Sequence, residues 1–334
     1  MIDLRPGASL ASACHGVSYS PLVATGRQEE DRPIRAVIAD PEAPPGWRIA
    51  TITPPVPGPG ELLVAPRHVS LNRGDLEALQ SGATPPGAVL GRDLAGTVVR
   101  TVPGGPRVGS RVVALADGAF AARVAVAADA VAELPDEIEL TDAAALPVAG
   151  LAAIQALRAG TLETPLRGAR VLITGASGGV GRFAVQLAAL GGGLVTAVAQ
   201  PRHRASLVEL GAESVVADPA EITEPVDLVL DTVGGAQLVA AWGLLAPGGT
   251  LQGIGWSSGS PACFPPHATR GLPRTLSTFL LTPPYGPDLA GLVSLVARND
   301  LRVPVAWRGP LARLDEAASA LWERRLAGKA VLTL

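Results

Sequence analysis

The sequence predicts an α/β protein in which a β-rich part is followed by a doubly wound parallel sheet. Between residues 34 and 140, short apolar runs are separated by Gly- and Pro-containing turns, which is typical of a β-rich domain. Between about residues 150 and 295, strand-like runs alternate with helical patterns over short connections, which indicates a parallel sheet covered by helices. With 334 residues, the chain is long enough for two domains.

The composition excludes several classes of protein. With 48% hydrophobic and 17% charged residues, the chain can bury a large core, and its net charge of −3 shows no basic footprint for nucleic acid. Two distant cysteines and four scattered histidines provide neither a disulfide framework nor a local metal motif, so we expect no metal. We find no signal-peptide pattern and no apolar run of the ~18–20 residues that a membrane span needs. We therefore expect a cytoplasmic protein that binds no membrane.

The β-rich part is predicted to begin near residue 34. Residues 1–34 sustain no helical or strand period, so we predict an irregular extension there. The run ELLVAPRHVSLN (61–72) is predicted to form a strand. Its proline predicts an edge strand or a bulged strand, because proline cannot donate a ladder hydrogen bond. Further short β-rich runs follow between residues 95 and 134.

The second part alternates in character along the chain. A helical composition at 142–160 precedes an apolar run, ARVLITG, that suits a strand buried on both faces. Strands are predicted at 169–175, 194–199, 214–218, 227–231 and 250–255. Helices are predicted at 178–193, 202–212 and 236–249. The tail, residues 314–334, is predicted to form a helix and a strand that are able to return to the first domain.

The strongest motif is VLITGASGGVG, residues 171–181, in which a strand runs through a glycine turn into a helix. In the Rossmann pattern G-x-G-x-x-G, Ala176 takes the first position, and Gly178 and Gly181 take the others. The free N–H groups at such a helix start bind a pyrophosphate. The alternative is a tight turn without a ligand. The predicted dinucleotide-binding residues of the loop are Ser177, Gly178, Gly179, Val180 and Gly181.

The end of the second strand predicts which dinucleotide binds. NAD sites place an acidic residue about 20 residues after the glycine loop, where it accepts hydrogen bonds from the ribose. Here Ala199 and Gln200 are followed by a basic cluster, Arg202, His203 and Arg204. Cations of this kind suit a 2′-phosphate, so we predict NADPH. The alternative is that the cluster is a solvated helix start.

Together these and other motifs resemble the zinc-independent branch of the medium-chain dehydrogenase/reductase superfamily. That branch includes NADPH quinone oxidoreductases and the enoyl reductases of polyketide synthases. The motifs are SLNRGDL (70–76), GRDLAGTVV (91–99), VGSRVVAL (108–115), AALPVAGLAA (144–153), VLITGASGGVGRFAVQLA (171–188), LVLDTVGG (228–235), LAPGGTLQGIG (245–255) and LAGKAVLTL (326–334). The resemblance implies a GroES-like β-rich domain over 35–155 and 296–334, and a Rossmann domain over 156–295. Substrate and nicotinamide would then meet between the two domains.

The resemblance also implies roles for single residues. Asn72 matches an asparagine near the nicotinamide, His203 matches the usual lysine of the 2′-phosphate site, and Arg324 matches an arginine near the adenosine. Segments that pass the nicotinamide ribose and ring are matched by Thr232, Val233, Ile254 and Gly255. The chain also departs from the family. Asn72–Asp75 and Gly91-Arg92-Asp93 stand where zinc-containing members have a cysteine and a Gly-His-Glu motif. Alanines stand at two common threonine positions, Ala149 and Ala152, and the tyrosine expected near residues 81–83 is absent.

Without zinc there is no Lewis acid for alcohol oxidation, so we predict hydride transfer from NADPH to an activated C=C bond or a quinone. The substrate would be a small molecule, and a polyketide-derived compound is one candidate. Asn72 and backbone N–H groups are candidates to stabilise negative charge on its oxygen. His68 alternates with Ser70 and Asn72 along a strand and is a candidate proton donor. A packed or surface role for His68, with solvent as the proton source, is the alternative. We expect Asp75 to brace the local turn.

Aromatic residues are scarce in this chain, at 3%. Four of them follow the last strands of the second part and are candidate pocket walls for a flat substrate, although core or dimer packing is equally open. These are Trp256, Phe264, Phe279 and Tyr285. The apolar segment LSTFLL (276–281) is predicted to be an edge strand at which a homodimer pairs.

Two other functions remain open. The absent tyrosine and the two alanines are compatible with an NADPH-binding protein without redox activity, such as a cyclase or a binding module. A weaker alternative is an alcohol dehydrogenase whose metal is held by residues distant in sequence.

Overall fold

A computed structural model describes residues 32–161 and 166–334. The predicted irregular extension lies, up to residue 31, outside the described residues. The strands are β1 Ile34–Ala39, β2 Trp47–Ile52, β3 Glu61–Leu71, β4 Asp93–Arg100, β5 Arg111–Leu115, β6 Val124–Ala127, β7 Val131–Glu133, β8 Arg170–Ile173, β9 Leu194–Val198, β10 Ser214–Val216, β11 Val226–Asp231, β12 Leu245–Gly253, β13 Thr275–Thr278, β14 Val305–Pro310 and β15 Lys329–Thr333. The α-helices are α1 Arg73–Gln80, α2 Leu140–Ala143, α3 Pro147–Gly160, α4 Gly179–Leu190, α5 Arg204–Glu209, α6 Gly235–Gly243, α7 Gly286–Ala297 and α8 Leu314–Trp322.

The β-rich part forms a seven-stranded sheet in the order β14-β15-β3-β4-β5-β7, with β6 also paired to β3. Strand β3 is therefore central, and the prediction of an edge strand is wrong. The alternative prediction of a bulge is confirmed, because the ladder between β3 and β4 shifts between Pro66 and His68. Gly96, opposite Pro66, lets the two strands approach closely at the bulge. A Cβ atom at position 96 would meet the carbonyl oxygen of Ala65 and lie 2.7 Å from the Pro66 Cα.

The second sheet has six parallel strands in the order β10-β9-β8-β11-β12-β13. This confirms the predicted doubly wound sheet. Counted from its first strand, β8, the order is 3-2-1-4-5-6, which is the Rossmann order. The strand order reverses between β8 and β11, and ligands of such sheets bind outside the carboxyl ends of the strands at that point.

The two larger sheets are connected through α3, and the C-terminal strand belongs to the first of them. The C-terminal strand β15 pairs with β14 and, antiparallel, with β3, so the tail returns to the first sheet as predicted. Helix α3 is mostly buried, since its small and apolar residues contact both sheets. One apolar cluster accordingly contains Ala95 and Val113 of the first sheet together with Val171 and Ile173 of the second. Within the described residues, no helix combines the length and the apolar character needed to cross a bilayer.

Candidate active site

A cavity of about 520 Å³ lies where the two sheets meet. Its walls are the carboxyl ends of β8, β9, β11 and β12, the first turns of α1 and α4, and the start of β15. The cavity therefore lies at the reversal point of the parallel sheet, where the fold predicts a ligand.

The glycine loop closes one end of the cavity. Gly178 is the N-cap of α4, and the loop residues predicted to bind a dinucleotide, Ser177 to Gly181, all line the cavity. At Gly181 a Cβ atom would meet the carbonyl oxygen of Gly175 and lie 2.6 Å from the Cα of Ala176. Only glycine lets α4 start this close to β8. The free N–H groups of the first helical turn are therefore directed toward the cavity and suit an anion.

The end of β9 contributes the basic wall. Ala199, Gln200, Arg202 and His203 line the cavity, and the Nε of Arg202 donates to the Nε2 of His203 at 3.2 Å. Burial, followed by the charges of Arg202 and Arg182, holds the pKa of His203 below its usual value. The imidazole is therefore predominantly neutral at pH 7.

Arg204, predicted to belong to this basic site, lies outside the cavity. It is the first residue of α5, and its side chain is exposed to solvent. The 3₁₀ turn Pro201–His203 directs Arg202 and His203 to the cavity, but not Arg204.

The loops after β8 and β11 are held together by a buried carboxylate. Asp231 accepts hydrogen bonds from Thr174 Oγ1 at 2.5 Å and from Gly234 N at 2.7 Å. Burial raises the pKa of Asp231, although these hydrogen bonds favour its charged form. The carbonyl oxygen of Asp231 also accepts from Ile254 N at 2.7 Å. This arrangement brings the predicted segments to the cavity wall, with Thr232, Val233, Ile254 and Gly255 all lining it.

A buried ionic network forms the opposite wall, and sequence reasoning missed its centre, Lys329. The Lys329 ammonium donates to Leu71 O at 3.1 Å, to Asp93 Oδ2 at 3.0 Å, and to Asn72 Oδ1. Asp93 Oδ2 also accepts from Asn72 Nδ2 at 3.0 Å and from Ser70 Oγ at 2.6 Å. The side chains of Lys329 and Asp93 are 4% and 0% exposed. One signal was available in the sequence: Lys329 is the only lysine of a chain rich in arginine.

This network orients the Asn72 carboxamide. Its oxygen accepts from the ammonium of Lys329, and one hydrogen of its Nδ2 is donated to Asp93. Asn72 lines the cavity, so the second Nδ2 hydrogen is available there as a donor. The charge pair thus determines that the amide presents N–H, rather than C=O, to a ligand.

Asn72 is the N-cap of helix α1, and Asp75 in the first turn of that helix anchors a second cation, Arg92. Asp75 Oδ2 accepts from Asn72 N at 3.0 Å, which is the bracing role expected for Asp75, and its Oδ1 accepts from Arg92 Nε at 3.2 Å. Burial raises the pKa of Asp75, while the charge of Arg92 opposes that shift. Arg92 lines the cavity beside Asn72 and Gly74.

His68 does not reach the cavity. Its Nδ1 lies 3.2 Å from Thr333 Oγ1, on the neighbouring strand β15. In the ladder, Ser70 is opposite Val331 and His68 is opposite Thr333, so His68 lies about 6.5 Å farther along the strand than Ser70. His68 and Ser70 share one face of the strand, as the alternation predicts. The distance between them along the strand places His68 outside the cavity.

The aromatic residues divide into two groups. Trp256 and Phe279 line the cavity, whereas Phe264 and Tyr285 lie outside it. Phe264 packs edge-on against Trp242, with ring centroids 6.1 Å apart, in the core beside β12. Tyr285 precedes α7, and its hydroxyl donates to Leu281 O at 3.4 Å. Core packing, the alternative interpretation, therefore holds for these two residues.

The remaining wall is apolar. It includes both positions at which alanine replaces a common threonine. Its members are Leu71, Val148, Ala149, Ala152, Phe279, Leu280 and Leu281. Glu77 is the only carboxylic acid among the described residues that line the cavity, and burial raises its pKa, opposed by the charge of Arg73.

Comparisons with known proteins agree with this architecture. An alcohol dehydrogenase GroES-like domain matches residues 58–136, and a domain described as zinc-binding dehydrogenase matches residues 203–332. A chloroplastic quinone-oxidoreductase homologue from Spinacia oleracea is 32% identical over 302 residues, which cover 83% of this chain and 91% of the relative.

Two further matches extend the comparison. A trans-enoyl reductase from Aspergillus flavipes is 37% identical over 185 residues. That stretch covers 48% of this chain, and it spans about half, 53%, of the relative. A mycobacterial protein solved in complex with NADPH superimposes with a TM-score of 0.79 at 28% identity, over 90% of this chain and 100% of that one.

Proposed function

Since this chain belongs to the medium-chain dehydrogenase/reductase superfamily, among relatives of quinone oxidoreductases and enoyl reductases, we propose that it is an NADPH-dependent reductase of an activated C=C bond or a quinone. One observation carries the proposal. A single cavity joins the glycine loop and its basic wall to the Asn72 amide and an apolar wall, so that a dinucleotide and a flat substrate can meet there.

The residues present fit NADPH. Gly178 and the first turn of α4 would hold the pyrophosphate, and Arg202 with His203 would hold the 2′-phosphate. Thr232, Val233, Ile254 and Gly255 would flank the nicotinamide ribose and ring. When bound, NADPH supplies the hydride. The negative charge of the phosphate would favour uptake of a proton from solvent by His203, whose Nε2 would then no longer accept from Arg202 Nε and would add a second positive charge beside Arg202.

On the substrate side, this chain orients the acceptor and stabilises charge. The apolar wall excludes water and packs against a flat ring or enone. The Asn72 Nδ2–H, oriented by Lys329 and Asp93, would donate to the substrate oxygen as it becomes negative. Protonated Glu77 is the proposed source of a proton at its carboxyl oxygen.

The zinc named in one family description does not fit these residues. Across residues 32–161 and 166–334, no three His, Cys, Asp or Glu side chains come close enough together to share a metal ion. Asp93 is already neutralised by Lys329. The proposed reaction therefore uses hydrogen-bond donors and fixed cations rather than a metal.

The division into a GroES-like domain (35–155 and 296–334) and a Rossmann domain (156–295), and assembly as a homodimer, are also proposals. The dimer is supported by β13, which is the last strand of the parallel sheet and leaves Leu276 46% exposed.

The proposed activity is tested by following the loss of reduced nicotinamide absorbance with a panel of enones and quinones. We expect turnover with NADPH for at least one class. NADPH binding without turnover of any panel member would instead favour a non-redox protein on the same fold. Failure to bind NADPH, or preference for NADH, would contradict the cofactor assignment.

Arg202→Ala is expected to raise the KM for NADPH by about 10- to 100-fold while leaving the KM for NADH within about twofold, because one charge-assisted hydrogen bond is worth about 1.5–3 kcal/mol. Initial rates with both cofactors measure this. Arg204→Ala is the matched control, since Arg204 belongs to the same basic cluster but lies outside the cavity. An equal effect of the two substitutions would refute the assignment.

The rate should depend on pH through Glu77. An acid must be protonated to donate, and burial raises the pKa of Glu77, so kcat should be highest at low pH and fall as pH rises through that pKa. Glu77→Gln should lower kcat and flatten this limb of the profile. An unchanged profile in the variant would show that the proton comes from solvent.

A further inference from the structure

We propose that Arg92 is a catalytic residue whose guanidinium, together with the Asn72 amide, stabilises the negative charge that develops on the oxygen of the reduced substrate. The inference rests on the proposed function and deepens it, because it assigns the substrate oxygen to a defined position in the cavity.

Arg92 is held from two sides. Its Nε donates to Asp75 Oδ1 at 3.2 Å, and the other oxygen of that carboxylate accepts from the backbone of Asn72. Its carbonyl oxygen accepts from Ala116 N at 2.9 Å. The preceding Gly91 has a φ of +81°, and the buried ring of Phe120 fills the space where a side chain would otherwise lie. The backbone of Arg92 and the Nε of its guanidinium are therefore held before a ligand arrives.

The terminal nitrogens of Arg92 are available. Within residues 32–161 and 166–334, neither Nη1 nor Nη2 has a hydrogen-bond partner. Neither atom is one of the buried polar atoms without a partner, so both are accessible to a ligand. The side chain is 38% exposed and lines the cavity. The Nη2 lies 3.4 Å from the position of a Cβ on Gly74, so glycine there leaves this edge uncovered.

The two other cations nearest Asn72 in sequence or by hydrogen bond, Lys329 and Arg73, are already engaged. Lys329 donates to Leu71, Asn72 and Asp93. The Nη2 of Arg73 donates to the carbonyl oxygens of Leu321 and Trp322, and its guanidinium stacks 5.1 Å from the ring centroid of Trp322. Arg92 is thus a cation with free donors on the same wall as Asn72, beside apolar residues that lower the local polarity.

The chemistry needs such a group. As the β-carbon of an enone accepts the hydride, the π electron pair moves toward the carbonyl oxygen and gives an enolate, and the nicotinamide is left oxidised. Protonation at the α-carbon then completes the reduction. In a quinone, the charge develops on a phenolate oxygen and a proton adds there. A guanidinium fixed beside that oxygen stabilises both anions more than their neutral precursors.

The first test compares Arg92→Met with the wild type. We expect kcat to fall by about 100-fold, as for loss of one oxyanion donor, while the dissociation constant of NADPH stays within about twofold. Arg48→Met is the matched control, because Arg48 also pairs through its Nε with an aspartate, Asp40 at 2.8 Å, but on the surface. An unchanged kcat would overturn the proposal. Weakening of NADPH binding by the same factor as kcat would also overturn it, because Arg92 would then hold the cofactor.

The second test does not depend on turnover. p-Nitrophenol is titrated in the complex with NADP⁺, and its coloured phenolate is read from visible absorbance. A guanidinium close to the oxygen should lower the pH of ionisation by about one unit in the wild type and in Arg48→Met, but not in Arg92→Met. The same ionisation in wild type and Arg92→Met overturns the proposal. If the wild type turns over no substrate but shows the Arg92-dependent shift, the proposed activity fails and the anion site stands.

Arg92→Met leaves Asp75 without its ion-pair partner, so the substitution can lower the stability of the fold as well as the activity. If its unfolding midpoint falls well below that of the wild type, both tests are repeated with Arg92→Met/Asp75→Asn, which removes the two charges together, and judged by the same outcomes. Arg92→Lys provides a folded alternative, because its ammonium keeps the charge that pairs with Asp75, but its single nitrogen cannot bind Asp75 and also occupy the positions of the two terminal nitrogens of Arg92. Full retention of kcat and of the phenolate shift in Arg92→Lys overturns the assignment of the substrate oxygen to the terminal nitrogens of Arg92.

Discussion

Lys329→Met should lower the free energy of unfolding by about 3–5 kcal/mol, the cost of leaving one buried charge without its partner. The substitution removes the ammonium but leaves Asp93, which is fully buried, with only Asn72, Ser70 and the backbone N–H of Val148 as hydrogen-bond donors. Urea denaturation followed by fluorescence measures the change. Arg298→Met, which breaks an exposed pair with Asp300, is the control and should cost less than about 1 kcal/mol.

The same substitution should reduce activity in the fraction that remains folded. Without Lys329 the Asn72 carboxamide is free to rotate, so its N–H is no longer held toward the cavity. We expect a lower kcat with little change in NADPH affinity. Lys329→Met/Asp93→Asn, which removes both charges, should recover part of the stability but not the rate. Wild-type stability in Lys329→Met would show that the network does not hold the charge of Asp93.

Gly181→Ala should weaken NADPH binding by at least about 30-fold and lower the free energy of unfolding by about 1–3 kcal/mol. The added Cβ would overlap the carbonyl oxygen of Gly175 and the Cα of Ala176, which are backbone atoms, so α4 must move away from β8. That movement displaces the N–H groups that would hold the pyrophosphate. Fluorescence titration with NADPH and thermal unfolding measure the two effects.

Gly178→Ala separates the effect on NADPH binding from the effect on the free energy of unfolding. Its Cβ would lie 3.3 Å from the carbonyl oxygen of Gly175, a contact that a small adjustment relieves, yet it would extend the cavity-facing surface of the loop. We expect near wild-type stability with weaker NADPH binding. Gly243→Ala is a control for the substitution itself, since a Cβ there meets nothing within 4 Å. Wild-type NADPH affinity in both loop variants would show that the pyrophosphate does not bind at this loop.

Local patterns predicted the second sheet well. The run from β8 through the glycine loop into α4 combines a buried strand, a glycine turn and an apolar helix, and each is encoded within a few residues. The bulge of β3 was also predicted from Pro66. Its central position was not, because the neighbours of β3 come from β4, β6 and the distant β15, and pairing at that separation leaves no local mark.

The candidate site shows the same division. The glycine loop and the Arg202 side of the cavity follow from short contiguous motifs, since neighbouring backbone atoms and side chains form them. The Lys329 network and the Asp75–Arg92 pair do not, because their members are separated by 236 and 17 residues and meet only when β15 and β4 lie beside β3. His68, Phe264 and Tyr285 lie outside the site for the same reason. Distance along a strand and packing against distant residues decide which side chains reach a cavity, and only the folded chain determines those distances.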